Sequence, residues 1–302
     1  MSNLTHQPEA PHDATRQRSL FARNSAALAA ANAYTIATSI LFVPLLTRYL
    51  GREGYGVYNQ VYALVQLLAV LSHLGTHAIL TREAARAKEQ ASLLLGQVIT
   101  LQLVLTIVFS AAVGIAAWIS RVPSQVWILV ILCAGESVLR VLSNTALAVS
   151  RAFEKMGHEL IATVVDRTIW LAGIGLVIAA DLGLVAVFVI FLVAALMRLA
   201  VSFGLLLRLI PPPRLGLQRA VGRGLLRESW PIGAGQGIRQ AYERVSIIQL
   251  GAAMDAAAVG LFSGAARIFQ LTDTMLTSFS TALFPAMSEA ASVNGRLQKL
   301  TS

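Results

Sequence analysis

The stretch of sequence that decides the fold is NSAALAAANAYTIATSILFVPLLT, residues 24–47, which runs for 24 residues without a charged side chain. Two further charge-free runs follow at residues 54–81 and 90–120. A helix needs about 20 apolar residues to cross the hydrocarbon core of a bilayer, and runs of this length are too long for the tilted strands of a barrel. The three runs therefore predict three transmembrane helices.

The composition of the whole chain agrees with this prediction. Of its 302 residues, 56% are apolar and only 13% are charged, whereas soluble proteins carry about 25% charged residues. This composition excludes a water-soluble globular domain and a disordered chain, and the lone Cys133 excludes an intramolecular disulfide. A net charge of +9 would suggest nucleic-acid binding in a soluble protein. In a membrane protein basic loops set the orientation instead, so no nucleic-acid partner is expected.

Further apolar segments complete the predicted bundle. They lie at residues 124–148, 160–180, 182–208, 230–250 and 261–285. The sequence therefore predicts an all-α fold, a polytopic membrane bundle of about eight transmembrane helices. Fifteen lysines and arginines fall on the side that holds both termini, against three on the other side. Because basic loops stay in the cytoplasm, both termini are predicted to be cytoplasmic.

Breaks in the apolar pattern predict four parts of the chain. These are a disordered cytoplasmic leader (1–20), a complete six-helix lobe (21–208), a basic amphipathic cytoplasmic linker (209–229) and the first two helices of a second lobe with a short cytoplasmic tail (230–302). In the linker, Arg219, Arg223 and Arg227 recur every four residues, and apolar residues occur two positions before each of them. This spacing is typical of an amphipathic helix on the inner leaflet. A solvated linker that follows the same charge rule is the alternative.

Two segments of the chain share one scheme, in which Leu-Gly ends a span and Gly-x-aromatic opens the next. The scheme occurs at Leu50-Gly51 with Gly54-Tyr55-Gly56-Val57-Tyr58, and again at Leu250-Gly251 with Gly260-Leu261-Phe262. Further characteristic segments lie near these two places in the chain. They are Phe21-Ala22-Arg23-Asn24, Val43-Pro44-Leu45-Leu46-Thr47-Arg48-Tyr49, Arg244-Val245, Ala265-Ala266-Arg267 and Pro285-Ala286-Met287-Ser288. Through these segments the chain resembles the bacterial polysaccharide (O-antigen, Wzx-type) flippases. Their superfamily also contains the multidrug/toxin extruders and the lipid II flippases.

The resemblance covers residues 21–290 and implies an architecture and a function. Family members usually have two lobes of about six spans each, so a chain that ends after the second span of the second lobe resembles a truncated form. The implied function is translocation of an undecaprenyl-pyrophosphate-linked oligosaccharide across the bacterial inner membrane, by alternating access, for O-antigen and lipopolysaccharide biosynthesis. The implied partners are this lipid-linked oligosaccharide, membrane lipids, and a polysaccharide polymerase or other assembly proteins. A cation-coupled multidrug exporter and a non-transporting scaffold of a polysaccharide-assembly complex are the alternatives.

Ionisable residues inside the first lobe are the first candidate site. A charge at the bilayer centre costs about 2.5–3.5 kcal/mol, so each one needs a partner or a hydrated cavity. A rise of about 1.5 Å per residue places Arg140, with Glu136 one turn away, level with Asp166 and Arg167 of the next span. We therefore expect these four side chains to cluster in the inner half of the lobe. Arg198, midway along the sixth span, has no acid near it in the sequence.

A second charged set lies in the last two spans. Arg239 and Glu243 form an i,i+4 pair, with Arg244 next to Glu243. One interpretation is a polar cavity in which arginines bind pyrophosphate, since a guanidinium matches phosphate oxygens with two donors. The other is mutual neutralisation in a structural network. The predicted substrate-binding residues are Arg140, Arg167, Arg198, Arg239, Arg244 and Arg267, and the predicted ion-coupling residues are Asp166, Glu243 and Asp273.

No motif of the sequence predicts an enzyme. His73 and His77, one turn apart in the second span, are either a hydrogen-bonded pair or a proton-coupling site, because a zinc site needs further ligands. There is no His-Glu-x-x-His or Cys-x-x-Cys pattern and no phosphate-binding glycine loop with a lysine. We therefore predict no catalytic residues, no metal and no cofactor.

Overall fold

The computed structural model describes residues 11–216 and 219–266, and these ranges contain helices and turns but no strand. The long helices are α1 (Pro11–Leu68), α2 (Thr76–Arg86), α3 (Ala91–Ile119), α4 (Trp127–Ala152), α5 (Gly157–Ala179), α6 (Gly183–Leu206) and α7 (Arg219–Ala253). A short apolar helix, α8 (Ala256–Ala266), follows. The predicted all-α class is confirmed. The rest of the predicted eighth span, with Arg267 and Asp273, lies outside the described residues.

Helix α1 consists of two arms that reverse direction at Gly51. This residue has φ 64° and ψ −174°, a conformation that glycine adopts readily because it has no Cβ. In one straight helix Phe42 and Tyr58 would lie about 24 Å apart. Both rings nevertheless pack on Phe191, with centroid distances of 5.8 and 6.0 Å. The first arm (11–50) and the second arm (52–68) therefore form a hairpin of the first two predicted spans.

The surface and the helix lengths are those of a multi-pass membrane protein. Along α3, the apolar side chains of Ile107, Ile115 and Ile119 are more than half exposed, which is unfavourable in water and favourable in lipid. Among the described residues, the stretches long and apolar enough to cross a membrane are 22–86, 88–119, 124–152, 157–179 and 183–206. The first of these contains the hairpin, so together they account for the six predicted spans of the first lobe. Helix α7 has 35 residues, enough to cross, but it carries charged side chains near its middle.

The start of α1 differs from the prediction. Residues 11–20, predicted to be disordered, form the first turns of this helix. Proline suits the first position of a helix, because its missing N–H and fixed φ cost nothing there. No further glycine or proline follows Pro11 until Pro44, so the helix continues into the first span. Residues 1–10 lie outside the described part of the chain.

The linker between the lobes also differs from the prediction. Helix α7 begins at Arg219, so the predicted boundary between residues 229 and 230 lies inside a continuous helix. Leu225 is 8% exposed and packs in a core formed with α2, α3 and α4. The apolar face of this segment therefore contacts protein and not the inner leaflet, and burial of Leu225 stabilises that position. Arg223 and Arg227 remain exposed.

The preceding part of the linker lies along one face of α3. The Ser92 hydroxyl donates to the Pro211 carbonyl oxygen at 3.1 Å, and the Gly216 N–H donates to Thr100 Oγ1 at 3.1 Å. Gly96 lies between Ser92 and Thr100 at the same four-residue spacing, and a Cβ added there would come within 2.1 Å of the Arg214 carbonyl oxygen. Small side chains on α3 therefore allow the linker to lie against the first lobe.

The second predicted span, residues 54–81, is interrupted before α2. A short 3-10 helix covers Ala69–Ser72, and Leu74 and Gly75 then adopt positive φ angles of 41° and 76°. Contact with α7 explains the break, because a Cβ added at Gly75 would lie 2.8 Å from the amide nitrogen of Gly233. The interruption brings His73 next to α7 and so contributes to the site described below.

The second arm of α1 and α8 are in direct backbone contact. A Cβ added at Gly56 would lie 1.8 Å from the Ala256 carbonyl oxygen, and one added at Gly260 would lie 2.2 Å from the Arg52 carbonyl oxygen. Any larger side chain at either position would separate the two helices. These glycines therefore determine how closely the second lobe approaches the first.

We expect Gly56→Ala to lower the free energy of unfolding by about 1–3 kcal/mol, because the added methyl group overpacks this contact. The matched control is Gly114→Ala in α3, where nothing lies within 4 Å of an added Cβ. Thermal unfolding of the purified protein in detergent should give a lower Tm for Gly56→Ala only. Equal Tm values for the two variants would contradict the close contact.

Candidate functional site

Four ionisable side chains of α4 and α5 meet inside the first lobe, so the predicted cluster forms. Arg140 Nε donates to Glu136 Oε1 at 2.6 Å, and Arg140 Nη1 donates to Asp166 Oδ2 at 3.3 Å. Arg167 Nε lies 3.8 Å from the same Asp166 oxygen. Glu136 and Asp166 are buried, so Arg140 supplies most of their charge compensation.

An aromatic ring covers one side of this cluster. The guanidinium carbon of Arg167 lies 4.4 Å from the Trp170 ring centroid, and that of Arg140 lies 5.6 Å from it. Trp170 in turn stacks on Phe191 of α6, with centroids 4.4 Å apart. A cation over an indole face is favourable, more so where water is excluded. The ring therefore holds both arginines at the boundary between the charged cluster and the aromatic core.

Arg198 of α6 is buried among neutral partners. Its side chain donates through Nη1 to Thr163 Oγ1 at 3.5 Å and through Nη2 to Asn144 Oδ1 at 3.3 Å, and its Nε has no partner among the described residues. Within the described part of the chain, no carboxylate lies within ion-pair distance of it, and Glu159, an acid of α5, is paired with Arg151. Because the residue is only 8% exposed, its charge is poorly compensated.

The interior of the first lobe consequently carries an excess of positive charge. Among the described residues, the guanidinium groups of Arg140, Arg167 and Arg198 lie close enough to interact electrostatically with the carboxylates of Glu136, Asp166 and Glu159, and Glu159 is itself paired with Arg151. Four cations therefore face three anions. At low dielectric an unbalanced charge is costly unless a counter-ion or water compensates it. An anionic ligand would balance this cluster.

A polar cavity of about 230 Å³ separates the first lobe from α7. The cavity is lined by Val70 and His73 on one side and by Gln236, Arg239, Gln240 and Glu243 of α7 on the other. The predicted pair of α7 forms, since Arg239 Nε donates to Glu243 Oε1 at 2.9 Å. Gln240 Nε2 donates to the Gln66 carbonyl oxygen at 3.1 Å and so ties α7 to the second arm of α1.

Arg244 faces the first lobe. Its guanidinium carbon lies 5.4 Å from the centroid of the Tyr62 ring. Its buried Nε has no hydrogen-bond partner among the described residues. Of the two acids predicted as ion-coupling residues in the last two spans, Glu243 is paired with Arg239, and Asp273 lies outside the described residues, as does Arg267. Arg244 is therefore held by an aromatic face, with donors left for a ligand.

The two histidines of the second span are stacked, with ring centroids 5.0 Å apart. Nε2 of His77 lies 3.2 Å from the Val141 carbonyl oxygen and 3.1 Å from Thr145 Oγ1, which ties the ring to α4. Within residues 11–216 and 219–266 no group of three histidine, cysteine, aspartate or glutamate side chains is placed to hold a metal ion. His77 has a structural contact, whereas His73 lines the cavity.

Several residues of the site were not predicted. They are Trp170, Tyr62, Gln236 and Gln240, and because these side chains carry no charge at neutral pH, the pattern of charged residues in the spans does not indicate them. For Trp170 the signal was its position three residues after Arg167, which places both on one helix face. For Gln236 and Gln240 it was the i,i+4 spacing of amides on the face that also carries Arg239 and Glu243.

The fold and the site define a class of protein, a polytopic helical membrane protein with a polar interior and a polar cavity between its two groups of helices. Two solved structures share this fold: the MATE multidrug transporter DinF-BH, and an inward-facing multidrug resistance MATE family transporter of the MOP superfamily. The first has a TM-score of 0.61 at 15% identity and covers 94% of this chain and 67% of its own. The second has a TM-score of 0.56 at 18% identity, with 86% and 63% covered. The chain thus spans about two thirds of the length of these transporters.

The family model described as polysaccharide biosynthesis protein matches residues 21–291. The chain therefore belongs to this polysaccharide biosynthesis family, which agrees with the resemblance found in its sequence. No curated protein matches the chain significantly.

Removal of Arg140 should be strongly destabilising, whereas removal of Arg239 should not. Arg140→Met leaves two buried carboxylates without their main cation, which we expect to cost about 3–5 kcal/mol. The matched control is Arg239→Met, which breaks an i,i+4 pair whose arginine is 82% exposed and should change stability by at most about 1 kcal/mol. Thermal unfolding in detergent measures both effects.

A loss of stability that is equal for both arginine variants would contradict the role of Arg140.

Proposed function

We propose that the chain forms the first lobe and the start of the second lobe of a flippase. It translocates an undecaprenyl-pyrophosphate-linked oligosaccharide from the inner to the outer leaflet of the bacterial inner membrane, for surface polysaccharide biosynthesis. Membership of the polysaccharide biosynthesis family supports the class of cargo. The fold shared with MATE transporters supports alternating access between two lobes.

The observation that carries the proposal is the excess positive charge inside the first lobe. Arg198 has only neutral partners among the described residues, and Arg167 lies 3.8 Å from its nearest carboxylate oxygen. A pyrophosphate group is anionic and presents several oxygens, which planar guanidinium donors bind in pairs. Cargo of this chemistry would compensate the charge that the bundle leaves unbalanced.

The candidate arginines differ in whether a carboxylate pairs with them. Arg140 and Arg239 are engaged by carboxylates, whereas Arg167, Arg198 and Arg244 have donors that no carboxylate saturates. In this proposal the second group binds the pyrophosphate directly. Arg267, outside the described residues, keeps its predicted role in substrate binding.

The ion-coupling residues follow from the same pairs. A coupling ion that bound Asp166 or Glu243 would weaken the ion pair that each carboxylate forms with an arginine. Asp166 and Glu243 are therefore the described candidates for coupling to an ion gradient, with Asp273 as the third.

The distribution of basic residues supports the location. Fifteen lysines and arginines on one side against three on the other favour a multi-pass inner-membrane protein with both termini in the cytoplasm. The partners in this proposal are membrane lipids, the lipid-linked oligosaccharide, and a polysaccharide polymerase or other assembly proteins. The same surfaces would serve a non-transporting scaffold of that assembly, which is the alternative outside transport.

A cation-coupled multidrug exporter is the alternative within the same fold, since both similar solved structures are described as multidrug transporters. A cationic drug requires a carboxylate that is free to bind it. Among the described residues of the site, Glu136, Asp166 and Glu243 are each paired with an arginine. This pairing favours the anionic cargo.

Export assays test the proposal. In cells that lack the chromosomal copy, Arg198→Ala and Arg244→Ala should each reduce export of surface polysaccharide about 10- to 100-fold, the value of one or two charged hydrogen bonds. The matched control is Arg223→Ala, an exposed arginine at the start of α7, which should export normally. Immunoblots of membranes should show equal amounts of all variants.

Two results would overturn the proposal. Normal export by both the Arg198→Ala and the Arg244→Ala variants would remove the role of these arginines in binding cargo. Normal export combined with loss of resistance to cationic drugs would show the multidrug exporter instead.

A further inference from the structure

The cavity between the first lobe and α7 has a different chemistry from the arginine cluster. Its charged residues are Arg239 and Glu243, which are paired at 2.9 Å, so among the described residues that line it the net charge is zero. The pair is open to solvent, with side chains 82% and 36% exposed. The cavity therefore attracts neither an anion nor a cation strongly, and its ligand should be a neutral polar group.

His73 contributes a hydrogen-bond donor, and its contact with the backbone indicates which ring nitrogen carries the proton. The Gly75 N–H donates to His73 Nδ1 at 3.2 Å, so Nδ1 is an acceptor and the proton of the neutral ring is on Nε2. The turn at Leu74 and Gly75 thus holds the neutral ring in one tautomer. The polar atom that His73 has left to offer a ligand is the Nε2–H donor.

Two amides of α7 add donors and acceptors on the opposite wall. Gln240 Nε2 is occupied by the Gln66 carbonyl oxygen at 3.1 Å, which fixes the amide and leaves its own carbonyl oxygen as an acceptor. Gln236 lies one turn before it on the same face of α7 and lines the same cavity. Val70 supplies an apolar patch beside His73.

We infer that this cavity binds one sugar ring of the cargo through its hydroxyl groups, separately from the arginines that bind pyrophosphate. A hydroxyl both donates and accepts hydrogen bonds, so a sugar needs donors and acceptors interleaved within a few ångströms, with an apolar patch for its C–H face. The His73 donor, the Gln240 acceptor, the Gln236 amide and Val70 form such a set. The inference rests on the proposed function for the identity of the cargo, but sugar binding itself is measured without transport.

The site also has contributions from both sides of the cavity. His73 belongs to the first lobe, whereas Gln236 and Gln240 belong to the first helix of the second lobe. A ring that contacts all three is bound fully only when these walls are close together. One sugar ring of the cargo would therefore be recognised at the contact between the lobes.

Saturation-transfer NMR on the full chain in nanodiscs tests the inference, because the method detects weak binding. The probes are free glucose, galactose and N-acetylglucosamine at millimolar concentration. We expect saturation of ring protons of at least one sugar by the unmodified protein, reduced at least about twofold by Gln236→Ala and by His73→Phe, as expected for loss of one hydrogen bond. The matched control is Gln249→Ala, an exposed glutamine of the same helix outside the cavity, which should retain the full signal.

Three results would overturn the inference: no saturation of any of the three sugars, the full signal in both cavity variants, or displacement of the bound sugar by inorganic pyrophosphate. If His73→Phe does not fold, Gln236→Ala alone decides, since Gln236 is an exposed helix residue.

The failure of the proposed function would look different. Sugar signals that depend on Gln236, together with normal export by the Arg198→Ala and Arg244→Ala variants, would leave the sugar site standing and remove the pyrophosphate site. The absence of sugar signals, together with loss of export in the arginine variants, would remove the sugar site and leave the pyrophosphate site standing.

Discussion

The buried charge cluster of the first lobe is the constraint on which the rest of the structure depends. Two carboxylates inside an apolar bundle are tolerable only because Arg140 donates to both of them. This requirement fixes the rotation of α4 against α5, since their charged faces must meet. It also determines where Arg167 lies, and Trp170 and the aromatic core pack around that position. The bundle then has no remaining described acid with which to pair Arg198.

Glycine contacts set the second constraint, the distance between the lobes. At one end of the second arm Gly56 and Gly260 allow backbones to touch, and near the other end Gly75 and Gly233 do the same. Between these two close contacts the helices must separate to make room for side chains. The cavity lined by His73 and Gln236 is the space that results.

Local geometry explains which features were predictable from the sequence. The cluster of Glu136, Arg140 and Asp166 follows from helix rise and i,i+4 spacing. Neighbouring spans cross the same membrane, so the depth of each residue can be counted from the same surface. The partner of Arg244 did not follow, since Tyr62 is 182 residues away in the chain and the pattern of charged residues does not indicate an uncharged ring. The linker was misplaced for a similar reason. Its basic periodicity predicts an exposed face correctly, but periodicity alone cannot tell whether lipid or protein covers the apolar side of Leu225.

The two polar regions differ in a way that bears on alternating access. The cluster of Arg140, Arg167 and Arg198 lies within one lobe, so a ligand that contacts these residues alone has no reason to prefer one arrangement of the lobes. The neutral cavity has walls from both lobes, and a ligand there gains or loses contacts as the lobes move. Since a ligand shifts a conformational equilibrium only through its differential affinity for the two states, the cavity is where cargo binding can drive the lobes together. A cargo with an anionic part and a neutral polar part would then use the first region for affinity and the second for the conformational change.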